Sequence, residues 1–246
     1  MTKRAPSTKQ SVGKNGVLQI HQAVDESQCA KWTAIINRNQ KHWIQRAPGA
    51  WSFGNAWYYD VEQGLAHRYF ANAMMSNRKL QRLPGFVATM LEATQYLRDP
   101  RGRVCKEVRA RHQNLGPYWC ESGIHIYTEN YGAIHADFEG LICYPKAMLG
   151  TSTCAYTAIL SIAQPPRGGG LTVWKRRVRA SEKEMRIPKK QQIEFNYCPG
   201  TMTILDSFFP HKIQPSIFDE LSPQRITGVM HFLHLSRPYP HWEYWF

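Results

Sequence analysis

Residues 117–137 read PYWCESGIHIYTENYGAIHAD, and the hydrophobic pattern of the chain changes at this stretch. From here on, apolar residues tend to alternate with polar ones in short runs separated by glycine, proline and asparagine, which is typical of strands. The predicted strands cover roughly 119–128, 132–138, 153–164, 170–177, 191–197, 201–206, 209–215 and 224–235. About eight strands with no helical pattern between them predict a closed or sandwiched antiparallel sheet, and a jelly roll is its eight-stranded, two-sheet form.

The chain before residue 117 follows a helical pattern instead. Asp25 is a predicted N-cap, and further helices are predicted within 61–80 and 86–98. The predicted fold class is therefore mainly β, with a double-stranded β-helix (jelly roll) core and flanking N-terminal α-helices. The predicted domains are a flexible basic tail at 1–15 and a single domain at 16–246, with the helical flank at about 16–116 and the jelly-roll core at about 117–236.

The composition of this 246-residue chain excludes several classes of protein. An apolar content of 43% is too high for a disordered chain. The longest apolar run, Cys154 to Ala163, is far shorter than the roughly 20 residues of a membrane span. No signal peptide is recognisable, so we expect a cytoplasmic protein with six reduced cysteines and no membrane partner. The formal charge of +13 favours anionic partners.

The candidate chemistry begins with His135 and Asp137. Side chains two apart on a strand project to the same face, so these two groups can reach one point together. An H-x-D pair alone is weak, because chance supplies such pairs often. Three further features follow it in the chain: a glycine turn at 168–170 that leads into 171–174, a histidine at His211 in an apolar and aromatic run, and an R-x-T pair at 225–227.

This order of motifs resembles the iron(II)- and 2-oxoglutarate-dependent dioxygenase superfamily over roughly residues 117–236. Within the superfamily, Tyr127, Gly132, His135 and Asp137 are similar to the Tyr…Gly…His-x-Asp run of the prolyl-4-hydroxylase-like branch. The resemblance implies a jelly-roll core and an oxygenase activity.

The resemblance also implies roles for six residues. His135, Asp137 and His211 would be the catalytic metal ligands, the two-histidine, one-carboxylate set of non-haem iron enzymes. Iron(II), 2-oxoglutarate and dioxygen would be the cofactors. Arg225 would hold the far carboxylate of 2-oxoglutarate through a planar charged fork, and Thr227 and Tyr127 would each donate one more hydrogen bond.

The function implied is hydroxylation of a C–H bond in a small, anionic or carboxylate-bearing substrate, with release of succinate and carbon dioxide. Halogenating members have a small residue where this chain has Asp137, which favours hydroxylation, although desaturation and cyclisation use the same ligands. A second hypothesis is a nucleic-acid demethylase that docks through the basic stripe 175–190. Demethylases of the superfamily carry a second arginine where this chain has His231, which disfavours that hypothesis. A third is a non-catalytic jelly-roll binding module.

Three other histidines lie near these motifs. His125, His231 and His234 are interpreted as core or edge histidines rather than metal ligands. The aromatic C-terminal segment 238–246 is predicted to pack against the barrel. The oligomeric state stays open.

Overall fold

A computed structural model describes residues 12, 16–62, 64–110, 119–130, 132–137, 153–178, 191–220, 224–237 and 239–246. Most of the predicted tail 1–15 and much of the basic stripe 175–190 lie outside these ranges. Val12 is described, and it packs, partly buried, against the core. Within the described ranges no helix has both the length and the apolar character needed to cross a membrane.

Four α-helices lie in the N-terminal half, and their bounds are Glu26–Arg38 (α1), Trp57–Glu62 (α2), Ala66–Leu80 (α3) and Phe86–Leu91 (α4). The predicted N-cap is confirmed, because the Asp25 carboxylate accepts a hydrogen bond from the backbone N–H of Gln28 at 2.8 Å. Helix α1 buries Cys29, Trp32 and Ile36, one apolar face at helical spacing. Short 3-10 helices at Gln40–His42 and Glu92–Tyr96 complete the helical content of the described ranges.

Strands make up most of the remaining described elements. They are Val17–Ile20 (β1), Ile44–Ala47 (β2), Ala50–Phe53 (β3), Val108–Ala110 (β4), Gly123–Tyr127 (β5), Ala155–Ala163 (β6), Arg167–Gly168 (β7), Leu171–Trp174 (β8), Gln192–Phe195 (β9), Met202–Asp206 (β10), His211–Ile213 (β11), Ser216–Ile217 (β12), Arg225–Leu235 (β13) and His241–Trp245 (β14). The mainly β fold class with N-terminal helices is confirmed.

The large sheet runs in the order β1-β10-β6-β13-β5-β3-β2 and is antiparallel along this path. Strand β13 is its centre. One edge of β13 pairs with β6, and the other pairs first with β5 and then with β14. All eleven residues of β13 are buried, because helix α4 and the apolar core cover the sheet. Most of the aromatic C-terminal segment forms β14, which pairs with β13, in agreement with its predicted packing against the barrel.

The N-terminal half is less helical than predicted. Strands β1, β2 and β3 all come from it, and they form both ends of the large sheet. Each of these strands has only four residues and lies close to a turn, so the helical periodicity of the neighbouring segments masks them. Burial against β10 and β5, far away in the chain, stabilises these short strands.

A smaller sheet of order β11-β8-β9 carries the candidate residue His211 on β11. The strand predicted at 132–138 is wrong within the described part, 132–137. This segment forms a single bridge, between His135 and His211. Gly132 has a positive φ of 129°, and the chain bends at Ile134 and Asp137, on either side of this bridge.

Candidate metal centre

His135 and His211 are brought together by the backbone. The His135 N–H donates to the His211 carbonyl at 3.0 Å, and the His211 N–H donates to the His135 carbonyl at 2.8 Å. This reciprocal pair places both side chains on one face, with ring centroids 4.3 Å apart. Two histidines far apart in sequence therefore become direct cross-strand neighbours.

The two imidazoles are oriented in the same way. The Nδ1–H of His135 donates to the Ala133 carbonyl at 2.9 Å, and that of His211 donates to the Phe209 carbonyl at 3.0 Å. A carbonyl only accepts, so each ring carries its proton on Nδ1. Each Nε2 then has a free lone pair, which is the state that a histidine needs to bind a metal.

Asp137 completes the group. Its Oδ1 lies 3.5 Å from Nε2 of His135, and its Oδ2 lies 3.5 Å from Nε2 of His211. These distances are long for hydrogen bonds. Burial acts to raise the pKa of Asp137, but the imidazoles of His211, His135 and His231 and a hydrogen bond from Thr157 together lower it to about 2. The carboxylate is therefore charged at neutral pH.

The three side chains fit a metal ion. One ligand atom from each lies within 4.8 Å of the others, and no second cluster of this kind occurs in the described ranges. Burial lowers the pKa of His211 to about 4, although Asp137 opposes this shift, so its imidazole is neutral at pH 7. Two imidazoles and one carboxylate match the ligand set of non-haem iron sites.

The group lies at a cavity of about 250 Å³ between the two sheets. All six residues predicted for the site line it: Tyr127, His135, Asp137, His211, Arg225 and Thr227. Apolar side chains from both sheets form much of the remaining wall, and they are Ile159, Leu171, Ile213 and Val229. An apolar cavity with a few convergent polar groups is the usual form of a small-molecule site.

Arg225 is the buried cation of this cavity, with 2% of its surface exposed. Its Nε–H donates to the Gly169 carbonyl at 2.7 Å, and its guanidinium lies 5.5 Å from the Tyr127 ring. Within the described ranges it forms no ion pair with a carboxylate, and burial lowers its pKa. A buried guanidinium is costly without an anion, so this arrangement fits an anionic ligand.

The predicted glycine turn supplies the carbonyl that accepts the hydrogen bond from Arg225. Gly168 and Gly169 have φ angles of 76° and 72°, which favour glycine, and a Cβ on Gly168 would lie 1.8 Å from the Pro215 carbonyl oxygen. The turn presents the Gly169 carbonyl to Arg225 before the chain enters β8. Opposite Arg225 in the β5–β13 register stands Tyr127, and Thr227 stands opposite His125.

Four further residues with polar side chains line the cavity and were not predicted as part of the site: Tyr59, His125, Thr157 and His231. Thr157 is a polar residue within an apolar run of the sequence, and this position could have indicated a site residue. Tyr59 lies on α2 and carried no signal, because only the fold brings this helix to the cavity. His125 and His231 stay outside the metal group, in agreement with their interpretation as core histidines.

Arg177, in the described start of the basic stripe, contacts other residues of the fold. The Arg177 side chain donates to the Asp206 carboxylate and to the Thr153 carbonyl, and its guanidinium lies 4.1 Å from the Phe208 ring. Residues 179–190 lie outside the described ranges.

No protein-family model and no curated protein matches the chain. Solved structures do. An N-substituted L-amino acid dioxygenase from Burkholderia ambifaria AMMD has a TM-score of 0.58 at 14% identity, over 94% of this chain and 86% of that chain. The epimerase SnoN, in complex with Fe3+, alpha ketoglutarate and nogalamycin RO, has a TM-score of 0.51 at 12% identity, over 89% of this chain and 79% of that chain.

A third similar structure is SnoK, a non-heme alpha ketoglutarate dependent carbocyclase from nogalamycin biosynthesis. Its TM-score is 0.51 at 13% identity, over 93% of this chain and 84% of that chain. At such identities the likeness concerns the fold. The chain has the jelly-roll fold of the iron- and 2-oxoglutarate-dependent oxygenases, which confirms the predicted superfamily resemblance at that level.

Proposed function

We propose that this protein is an iron(II)- and 2-oxoglutarate-dependent oxygenase that hydroxylates a C–H bond of a small substrate. One observation carries the proposal. The same cavity contains a two-histidine, one-carboxylate group and a buried guanidinium that forms no ion pair with a carboxylate in the described ranges. These are the two anchors that a metal-chelating dicarboxylic acid requires.

His135, Asp137 and His211 would hold the iron, and Arg225 would hold the far carboxylate of 2-oxoglutarate. With both bound, the cofactors supply oxidative decarboxylation of 2-oxoglutarate, with dioxygen as oxidant, to succinate and carbon dioxide, coupled to oxidation of a substrate C–H bond.

The protein's own residues orient the two imidazoles and the Arg225 guanidinium. The Ala133 and Phe209 carbonyls hold both imidazoles with Nε2 towards the metal position. The Gly169 carbonyl fixes the guanidinium plane of Arg225. Thr227 and Tyr127 stand on adjacent strands beside it, and their hydroxyl groups would donate further hydrogen bonds to the bound carboxylate. The apolar walls exclude water from the reacting C–H bond.

A small substrate agrees with a cavity of about 250 Å³, which is at the lower limit for ligand pockets. The similar structures are named for an amino acid dioxygenase, an epimerase and a carbocyclase, which are different outcomes on one fold. Hydroxylation is proposed over halogenation because Asp137 is present as the carboxylate of the group. The charge of +13 favours an anionic or carboxylate-bearing substrate.

The test is anaerobic addition of iron(II) and then 2-oxoglutarate to the apoprotein, followed by a substrate screen for succinate release in air. We expect a weak visible charge-transfer band that requires both additions and is absent from Asp137→Ala. Absence of the band and of succinate in the wild type would contradict the proposal and favour a non-catalytic binding module. A steep loss of substrate affinity with added salt would favour a nucleic-acid substrate.

A further inference from the structure

Thr157 joins Asp137 to the large sheet. It lies on β6, opposite His231 on β13 and next to the end of β10, where Ser207 follows the strand. Its Oγ1 donates to Oδ2 of Asp137 at 2.7 Å. The same oxygen lies 3.1 Å from Oγ of Ser207 and 3.1 Å from Nδ1 of His231. One hydroxyl therefore makes three hydrogen bonds.

The number of donors and acceptors decides which atom donates in each of the three hydrogen bonds of Thr157. A threonine hydroxyl has one proton and two acceptor lone pairs, and an ionised carboxylate only accepts. Thr157 gives its proton to Asp137, so both other contacts must donate to Thr157. Ser207 donates its O–H, and His231 donates its Nδ1–H. The hydroxyl is saturated, and it cannot turn away from Asp137 without breaking two other bonds.

Asp137 depends on this contact. Its segment is attached to the neighbouring strand by one bridge, so strand pairing does not fix its carboxylate. Within the described ranges, Thr157 is the one side chain or backbone group that donates a hydrogen bond to Asp137. The Nε2 atoms of His135 and His211 each lie 3.5 Å from a carboxylate oxygen of Asp137. Thr157 and Ser207 are each 1% exposed, so water does not replace the bond.

We propose that Thr157, held by Ser207 and His231, is a positioning residue that orients the Asp137 carboxylate for the metal. This inference rests on the proposed function for the identity of the metal. Occupation of Oδ2 by Thr157 fixes the rotation of the carboxylate and directs its remaining lone pairs between the two Nε2 atoms. Preorientation lowers the cost of ordering the ligand when the ion binds.

The experiment compares Thr157→Val, which keeps the shape and removes the hydroxyl, with Thr157→Ser, which keeps the hydroxyl. Fe(II) affinity of each apoprotein is measured anaerobically by calorimetry. We expect Thr157→Val to weaken Fe(II) binding about 10- to 100-fold, the usual effect of losing a hydrogen bond to a metal ligand, and Thr157→Ser to stay within a few-fold of wild type. The matched control is Thr203→Val on β10, the same change at a buried position outside the cavity, with expected wild-type affinity.

A second measurement needs only the wild-type apoprotein. Nitrogen-15 NMR of the histidine side chains reports which ring nitrogen carries the proton, and we expect the proton of His231 on Nδ1. A proton on Nε2 alone would overturn the inference, even if Thr157→Val fails to fold.

The other outcomes are separable. Equal Fe(II) affinity in wild type and Thr157→Val, or an equal loss in Thr203→Val, overturns the positioning role and leaves the proposed function intact. Absence of Fe(II) binding in the wild type overturns the proposed function and this inference together. Fe(II) binding and succinate formation by the wild type keep the proposed function, whatever the result for Thr157→Val.

Discussion

The two walls of the cavity are built differently. The wall from the large sheet carries Thr157, Arg225, Thr227 and His231, and none of these residues is more than 8% exposed. The opposite wall, formed by the small sheet and the segment 132–137 that is bridged to it, carries the candidate metal ligands, and there the side chain of His135 is 45% exposed. The first wall is part of the core, and the second is partly open to solvent.

This difference in exposure separates residues that stabilise the fold from residues that bind the metal. Polar groups on the buried wall must be satisfied by fixed partners, because burial without a partner is costly. His135 on the open wall is accessible to solvent, so an ion can reach the group from there. Substitutions on the open wall should therefore affect metal binding more than folding, and those within the large sheet should do the reverse unless they touch the cavity.

The largest expected effect separates the two histidines. His135→Ala and His211→Ala should each weaken Fe(II) binding by more than the roughly 100-fold that loss of a hydrogen bond to a ligand costs. Only His211→Ala should also lower the free energy of unfolding, by about 1–3 kcal/mol, because His135 is half exposed and His211 is buried. Calorimetry with Fe(II) and urea denaturation measure the two quantities. Equal losses of stability in the two variants would show that the exposure of each histidine does not decide its contribution to folding.

Arg225→Ala should raise the 2-oxoglutarate concentration needed for half-maximal binding about ten- to a hundred-fold, since it removes a charged hydrogen bond worth about 1.5–3 kcal/mol. Titration of the visible band with 2-oxoglutarate measures this change, and Fe(II) affinity is the internal control. Arg225→Lys keeps the charge but loses the planar fork, so its effect should be intermediate. An unchanged 2-oxoglutarate requirement in Arg225→Ala would assign the carboxylate to another group.

Gly228→Ala tests the opposite face of the buried wall. An added Cβ would lie 2.6 Å from Cε2 of Phe86 on α4, which is overpacked. We expect the free energy of unfolding to fall by about 1–3 kcal/mol, with Fe(II) affinity unchanged. Urea denaturation of this variant, of Phe86→Leu and of the double variant measures the coupling. Additive effects in the double variant would show that the two positions do not clash.

Stability should also depend on pH through His125. Burial, with the positive charges of His231, Arg225 and Arg46 adding to it, lowers the pKa of His125 to about 3. The unfolded chain takes up a proton near its ordinary pKa of 6.5 and the folded chain does not. Stability from this group is therefore complete above that pH and falls as pH decreases towards 3, by up to about 1.4 kcal/mol per pH unit.

Urea denaturation between pH 5 and 7 measures this slope. His125→Gln should have a shallower slope than wild type in this window, because one titrating group of the unfolded state is gone. An identical slope in the two proteins would mean that His125 titrates alike in the folded and unfolded chains.

The sequence by itself determined the jelly-roll class, most strands after residue 117 and six of the residues that line the cavity. Alternating side chains and the order of motifs are local properties of the chain, so they can be read directly. It did not determine the strands β1 to β3 or the interrupted pairing at 132–137, because their pairing depends on distant partners.

Only the tertiary structure decided how the candidate site is held. It placed the Thr157 hydroxyl on Asp137, the Gly169 carbonyl on Arg225, and Tyr59 at the cavity. The same histidine type became half exposed at His135 and buried at His211. Burial and hydrogen-bond partners are set by segments that meet after folding, and neither has a counterpart in the spacing of residues along the chain.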